Sequence, residues 1–464
     1  MSRARPWLLL LTLTACAAPL LLAPGEAQEP PAAAPEPPPP PAGPEVVVMA
    51  AGESLGHLEP CNCVAGMQGG FPRRLSALGR ARREVPALVA LDTGDLSAGD
   101  QHHPRLLVAK TRAALELLAR AEVAAVAVGE LDLRIGWEAL RREGERARAP
   151  LLLANARLPG VEGPAGRPFP AARALELGPG RTALVAAALD PELGDPTGQL
   201  ELGPPDPALR EALAAAPPGA LRVVLFHGTR EAALEQLRED LPADVIVCGH
   251  GQQEARPLAR HGQALVVETL RDARALARLR LAPGVEPTLT QVPLGGDVPD
   301  DPWARERVDA YYAEVKDLPE PPRKPVPEGG SFLGAESCRA CHPEQYELFA
   351  ASKHHGAQAR VAARDPKRAG LTECTRCHVT GWGYTGGFES LEATPHLGEV
   401  GCEACHGVGE AHMLAPPDQK RGYGVRTGFP AAWKETCLGC HDPSNSPGFE
   451  FEKAMQAIRH WRPR

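Results

Sequence analysis

Beyond its N-terminal leader the chain lacks any apolar run near the ~20 residues needed to span a bilayer, which excludes a polytopic membrane protein. It has no basic run, and its formal charge is −8, which argues against nucleic acid as a partner. Spare cysteine is scarce: of twelve, only Cys61, Cys63 and Cys248 fall outside the leader and one repeated motif, so a disulfide scaffold is not the design. The last third is poor in aliphatic residues and holds only two methionines, Met413 and Met455. A conventional side-chain core is therefore not expected there.

What is present begins with an export signal over residues 1–27. Met1-Ser-Arg-Ala-Arg is a positive n-region, and Trp7 to Ala15 is an apolar stretch too short to span a membrane unaided. Leu13-Thr-Ala-Cys16 fits a lipobox, which would acylate Cys16 and tether the chain to a membrane; ordinary cleavage after Gly25-Glu-Ala27 is the alternative. Either route places the mature protein in the periplasm or at the cell surface. Residues 28–44 are a proline-rich spacer of extended polyproline character.

From residue 45 to 294, short β-branched or leucine-rich runs alternate with stretches of helical period. The runs include Val46-Val-Val-Met, Ala87-Leu-Val-Ala-Leu, Thr182-Ala-Leu-Val, Arg222-Val-Val-Leu-Phe and Ala264-Leu-Val-Val. This pattern predicts an α/β sandwich, sheet covered by helices. A proline-rich linker is expected over 295–330. A mainly α, loop-rich C-terminal domain is expected over 331–464.

That last region carries four pentapeptides of one kind: Cys338-Arg-Ala-Cys341-His342, Cys374-Thr-Arg-Cys377-His378, Cys402-Glu-Ala-Cys405-His406 and Cys437-Leu-Gly-Cys440-His441. Zinc ribbons and thioredoxin-like pairs also use Cys-x-x-Cys. Neither requires a histidine directly after every pair, and here each of the four has one. The pattern is that of c-type haem attachment: both thiols add to the porphyrin vinyls, and the histidine becomes the proximal iron ligand. Four covalently bound haems are expected, with His342, His378, His406 and His441 proximal. The macrocycles would supply the burial that side chains do not.

Five further histidines, His354, His355, His396, His412 and His460, can cap the irons on the distal side. The run from Cys338 to His355 and the run Gly401-Cys-Glu-Ala-Cys-His-Gly-Val-Gly-Glu-Ala-His412 resemble the tetrahaem cytochrome c-554 family over about residues 331 to 464. The resemblance implies distal roles for His354 and His412 first, then His460 at the end of a closing helix. It also implies electron passage between partner proteins.

The N-terminal domain resembles calcineurin-like metallophosphoesterases of the 5′-nucleotidase type. The motifs are Leu91-Asp-Thr-Gly-Asp95, Val128-Gly-Glu-Leu-Asp132, Leu151-Leu-Leu-Ala-Asn-Ala, Val224-Leu-Phe-His227 and Val247-Cys-Gly-His250-Gly-Gln252. That family uses two bridged metals, an asparagine ligand and a histidine acid. The resemblance leaves Asp95, His227 and His250 as a vestigial metal set. The opening Asp-x-His is replaced by the stretch starting Gly52-Glu-Ser, asparagine by Glu130, the acid by Leu131 and the last histidine by Gln252. A fold without its hydrolytic activity is expected. Glu59-Pro-Cys61-Asn-Cys63 beside His57 offers either a soft-metal thiol pair or two thiols that are merely buried or paired.

The leading reading is an exported tetrahaem electron carrier between a membrane quinol-side donor and a soluble or outer-membrane acceptor. Its alternatives are an oxidoreductase acting on a small nitrogen species at one open haem, and a metallophosphoesterase with a cytochrome tail.

Overall fold

The computed structural model describes residues 45–460 except 61–66, 86, 98–103, 179, 319–321, 327–329, 421–430, 443–445 and 447. The leader, Cys16, the first proline spacer, Cys61 and Cys63 lie outside the described residues. No helix among those described is long and apolar enough to cross a membrane.

The chain runs β1 (Val46–Ala51), α1 (Phe71–Glu84), β2 (Ala87–Asp92), α2 (Pro104–Arg120), β3 (Ala125–Ala127), α3 (Trp137–Ala147), β4 (Leu151–Leu152) and β5 (Ala156–Arg157). It continues through β6 (Ala172–Gly178), β7 (Arg181–Leu189), β8 (Glu201–Leu202), α4 (Pro205–Leu213), β9 (Leu221–His227), α5 (Arg230–Gln236) and β10 (Val245–Cys248). Then come β11 (Ala259–His261), β12 (Ala264–Glu268), β13 (Ala275–Ala282), β14 (Val285–Pro293) and α6 (Pro302–Lys316).

Twelve of these strands form two six-stranded sheets, in the orders β14-β13-β1-β2-β3-β4 and β11-β12-β10-β9-β7-β6, and β5 pairs with β8 alone. The strands β1, β2, β3 and β4 run parallel in one sheet, and β7, β9, β10 and β12 run parallel in the other. Parallel strands buried on both faces read as unbroken apolar runs, and the period of two then divides each run between two cores. Val46, Val48 and Ala50 meet Val185, Val223, Leu225, Val245 and Val247 between the sheets. Val47, Met49 and Ala51 point outward under α1, α2, α3 and α6. On the far side Leu184, Val224, Phe226 and Ile246 pack beneath α4 and α5. The result is a four-layered α/β sandwich.

The stretch 295–330, expected as a linker, departs from that expectation in its first half. Asp301 caps α6 by accepting the Ala304 N–H at 2.9 Å, Pro302 stands in the first turn, and Ala304, Val308, Tyr311 and Val315 are buried in the outer core. The prolines that suggested a linker lie after Leu318, whereas Pro302 is a helix starter.

The C-terminal region is built of short helices: α7 (Glu336–Arg339), α8 (Pro343–Ala350), α9 (Ala357–Arg364), α10 (Thr372–Thr375), α11 (Cys402–His406), α12 (Glu410–Leu414), α13 (Ala431–Leu438) and α14 (Phe451–Ile458). Its own apolar cluster is small, centred on Phe332, Val379, Phe388, Leu397 and Val408. Residues 365–371 fasten it to the sandwich. Arg368 pairs with Asp365 at 2.5 Å and Glu59 at 3.5 Å and lies over the Tyr312 ring of α6, while Leu371 enters the outer core.

Candidate haem and metal centres

Glu403, between the cysteines of the third pentapeptide, is buried. Its carboxylate accepts the backbone N–H groups of Leu333 at 2.9 Å, Gly334 at 2.8 Å and Gly409 at 2.8 Å. This one side chain thus fixes the segment leading to Cys338 and the turn that follows His406. Histidines distant in sequence are brought together by such staples.

The ring centroids of His342 and His412 lie 6.2 Å apart, those of His354 and His441 6.0 Å, and those of His406 and His460 5.7 Å. Two imidazoles ligating one iron from opposite faces need ring centres roughly 6 Å apart, given metal–nitrogen bonds of roughly 2 Å. The residues therefore fit a haem with two histidine ligands at three of the four pentapeptides. Leu348, Met413, Leu414 and Leu438 in the same region are exposed apolar side chains of the kind a macrocycle would cover. Burial holds His354, His378 and His441 below the usual imidazole range and so favours the neutral, ligating ring.

Two distal candidates are placed otherwise. His355 Nδ1 lies 2.8 Å from the Glu399 carboxylate, and His396 is an exposed residue packed beside Gly334. Among the described residues no fourth pair forms at His378, which lies against the Ala357 backbone.

The second constellation sits at the carboxyl ends of the parallel strands, where open α/β sheets present their ligand-binding groups. Asp95 follows β2, Glu130 follows β3, His227 closes β9 and His250 follows β10. His227 Nε2 is 2.8 Å from Glu130 Oε2, 3.5 Å from Asp95 Oδ1 and 3.0 Å from His250 Nε2. His250 Nε2 is 3.8 Å from Asp95 and 3.5 Å from Glu130. All four donor atoms fall within 4.8 Å of one another.

The backbone is arranged for this approach. Asp132 accepts the N–H groups of Asp95 at 2.9 Å, Leu96 at 2.8 Å and Gly129 at 3.0 Å, which sets the loop that carries Asp95. At Gly129 a Cβ would stand 2.2 Å from Asp95 Oδ1 and 2.5 Å from the His227 ring, so only glycine lets these groups meet. Burial works against His227 being charged, but the Asp95 and Glu130 carboxylates outweigh it and hold its pKa well above the imidazole range. Burial also raises Asp132 to about 7, with the Asp95 charge adding to it. Sequence reading counts Glu130 as a lost ligand, and the structure corrects this by placing it in the set. A carboxylate in an asparagine position can still donate oxygen, and that signal is available in the sequence.

At the positions of the opening Asp-x-His, Ser54 bonds to the Leu96 carbonyl at 3.1 Å and the neighbouring Glu53 carboxylate accepts the His250 backbone N–H. The two-metal complement does not fit these residues.

Residues 337–407 match the family described as cytochrome c554 and c-prime, a span that holds the first three pentapeptides. Cytochrome c-554 of Nitrosomonas europaea is 31% identical over 91 residues, which cover 17% of this chain and 39% of that protein. The match thus spans well under half of the relative's length. For the whole fold, a 5′-nucleotidase precursor from Thermus thermophilus superposes with a TM-score of 0.50 at 18% identity, covering 69% of this chain and 68% of that one. The sulfate thiohydrolase SoxB of Thermus thermophilus gives 0.49 at 18% identity, covering 66% and 69%. The calcineurin-like phosphoesterase YfkN of Bacillus subtilis gives 0.48 at 15%, covering 58% and 97%. Residues 337–407 are thus similar to cytochrome c554, a family for which covalent haem c is the implied cofactor, and the preceding domain has the fold of the 5′-nucleotidase precursor.

Proposed function

We propose that the chain is an exported tetrahaem c-type cytochrome that transfers electrons, its haem domain spanning about 331–464 and carried by a phosphoesterase-fold domain over 45–294 that does not hydrolyse phosphate esters. The cysteine pairs Cys338/Cys341, Cys374/Cys377, Cys402/Cys405 and Cys437/Cys440 would tether the four groups. Haem c, when bound, supplies reversible one-electron chemistry. The observation that carries the reading is the axial spacing of three imidazole pairs, 5.7 to 6.2 Å between ring centroids. On this reading the pairs His342 and His412, His406 and His460, and His441 and His354 would each hold one iron. Double histidine ligation gives a low-spin carrier rather than a site for substrate.

The proposed partners follow from the export signal: a quinol-side donor at the membrane and a soluble or outer-membrane acceptor. Cys16 is the proposed lipid anchor. A second reading has one observation in its favour. His378 enters none of the three close ring pairs, although His354 and His441 lie near it, and an iron at His378 left without a second histidine would suit a small ligand, such as a nitrogen species.

An electron paramagnetic resonance spectrum of the oxidised protein, with a carbon monoxide difference spectrum after reduction, separates the two. Low-spin signals alone with no carbon monoxide shift support the carrier. A high-spin signal with carbon monoxide binding supports ligand chemistry at His378. A protein without covalent haem contradicts both.

A further inference from the structure

We propose that Ser446 and Phe449 are positioning residues for the fourth pentapeptide: the hydroxyl sets the hydrogen bond and the aromatic ring sets the plane of the His441 imidazole, and together they tune the potential of one electron-transfer iron. The inference rests on the pairing of His441 with His354 proposed above, and it adds two residues that lie outside the span matching cytochrome c554.

His441 closes the fourth Cys-x-x-Cys-His turn, its backbone N–H donating to the Cys437 carbonyl at 2.8 Å. The chain downstream returns to the same ring. The Ser446 N–H donates to the Asp442 carbonyl at 2.8 Å, and the Phe449 N–H donates to the Ser446 carbonyl at 3.0 Å. These bonds bring two side chains onto one imidazole. Ser446 Oγ stands 3.0 Å from His441 Nδ1, and the Phe449 ring lies 4.4 Å from the His441 ring, 10° from parallel. With Nδ1 engaged by the hydroxyl, Nε2 is the nitrogen left for an iron shared with His354, whose ring centroid is 6.0 Å away.

A ligating imidazole gains basicity when its other ring N–H donates a hydrogen bond, and the acceptor also fixes the ring's tautomer and orientation. A more basic imidazole favours ferric over ferrous iron, so the bond to Ser446 lowers the potential; hydrogen bonding around the axial ligand is one of a protein's levers on haem. A hydroxyl is a neutral acceptor, and its pull is smaller than a carboxylate's. Phe449 acts differently. A ring lying flat on the imidazole blocks its rotation about the bond to iron, because turning would drive the imidazole edge into the phenyl face. It thereby holds the 52° angle between the His441 and His354 planes. The other two pairs stand at 25° and 64°, so the low-spin signals of the three irons should be distinguishable.

The test uses full-length holoprotein whose intact mass confirms its covalent haems, followed by spectropotentiometric titration and electron paramagnetic resonance of the oxidised state. In Ser446→Ala one haem should become easier to reduce, its oxidised-to-reduced ratio at a fixed potential falling by about threefold or more, which is about 28 mV at 59 mV per tenfold for one electron. Ser446→Thr keeps the hydroxyl and should retain the wild-type midpoint. Phe449→Leu should move one low-spin signal and leave the others in place. No midpoint shift in Ser446→Ala, an equal shift in Ser446→Thr, a shift spread evenly over all the haems, loss of the fourth haem in Ser446→Ala, or an unchanged resonance spectrum in Phe449→Leu would each overturn the proposal. Covalent haem with low-spin signals in the wild type leaves the electron-transfer reading standing in all of these outcomes, whereas a wild type without covalent haem overturns both.

Discussion

The imidazoles of His342 and His412 face one another with centroids 6.2 Å apart and planes 25° from parallel, although one precedes α8 and the other belongs to α12. An iron between them would be capped on both faces by the protein alone. His412→Ala should therefore convert one low-spin haem to high-spin and admit carbon monoxide at that iron. The same change at His355 or His396 should leave the spectrum as it was. Equal effects at all three positions would contradict the pairing.

Glu403→Gln leaves one acceptor oxygen and brings an NH₂ donor toward three backbone N–H groups that already donate there. Bonds to a charged acceptor contribute about 1.5–3 kcal/mol each, so the loss should be about 2–4 kcal/mol, read from denaturant unfolding of the holoprotein. A variant as stable as the wild type would show that the staple is not what fixes the segment before Cys338.

Gly129→Ala puts a methyl group 2.2 Å from Asp95 Oδ1 and 2.5 Å from His227 Cε1, both held by a rigid surround. Overpacking of this sort costs about 1–3 kcal/mol. The expected outcome is a lower melting temperature for the sandwich, while haem content is preserved. Calorimetry with a haem assay checks both.

Arg368 bridges the two parts of the molecule through Glu59 and the Tyr312 ring, and it is itself buried. Arg368→Ala should speed proteolysis between 295 and 330 several-fold without changing the haem spectrum. Lysine should not restore the wild-type rate, because it lacks the planar fork that meets a carboxylate and an aromatic face at once.

The parallel strands were legible in the sequence because burial on both faces makes them continuous apolar runs, as at Val46–Ala51 and Val245–Cys248. Those that were missed mix charge with exposure. β6, β13 and β14 carry Arg173, Glu176, Arg278, Arg280 and Glu286, and they pair antiparallel toward the sheet edges. α6 was passed over because the prolines after Leu318 were read as marking a linker from 295 onward, though Asp301-Pro302 is a start signal that could have been read. The candidate proximal histidines stand in the pentapeptides themselves. Distal partners were not: sequence gives the supply of histidines, and only long-range packing, such as the Glu403 staple, decides which one faces which.

The most direct test of the account is the intact mass of the purified protein under denaturing conditions, where only covalent groups survive. The predicted result is a mass exceeding that of the mature chain by four haem groups, falling by one group when Cys437 and Cys440 are both replaced by serine. A mass matching the bare polypeptide would contradict it.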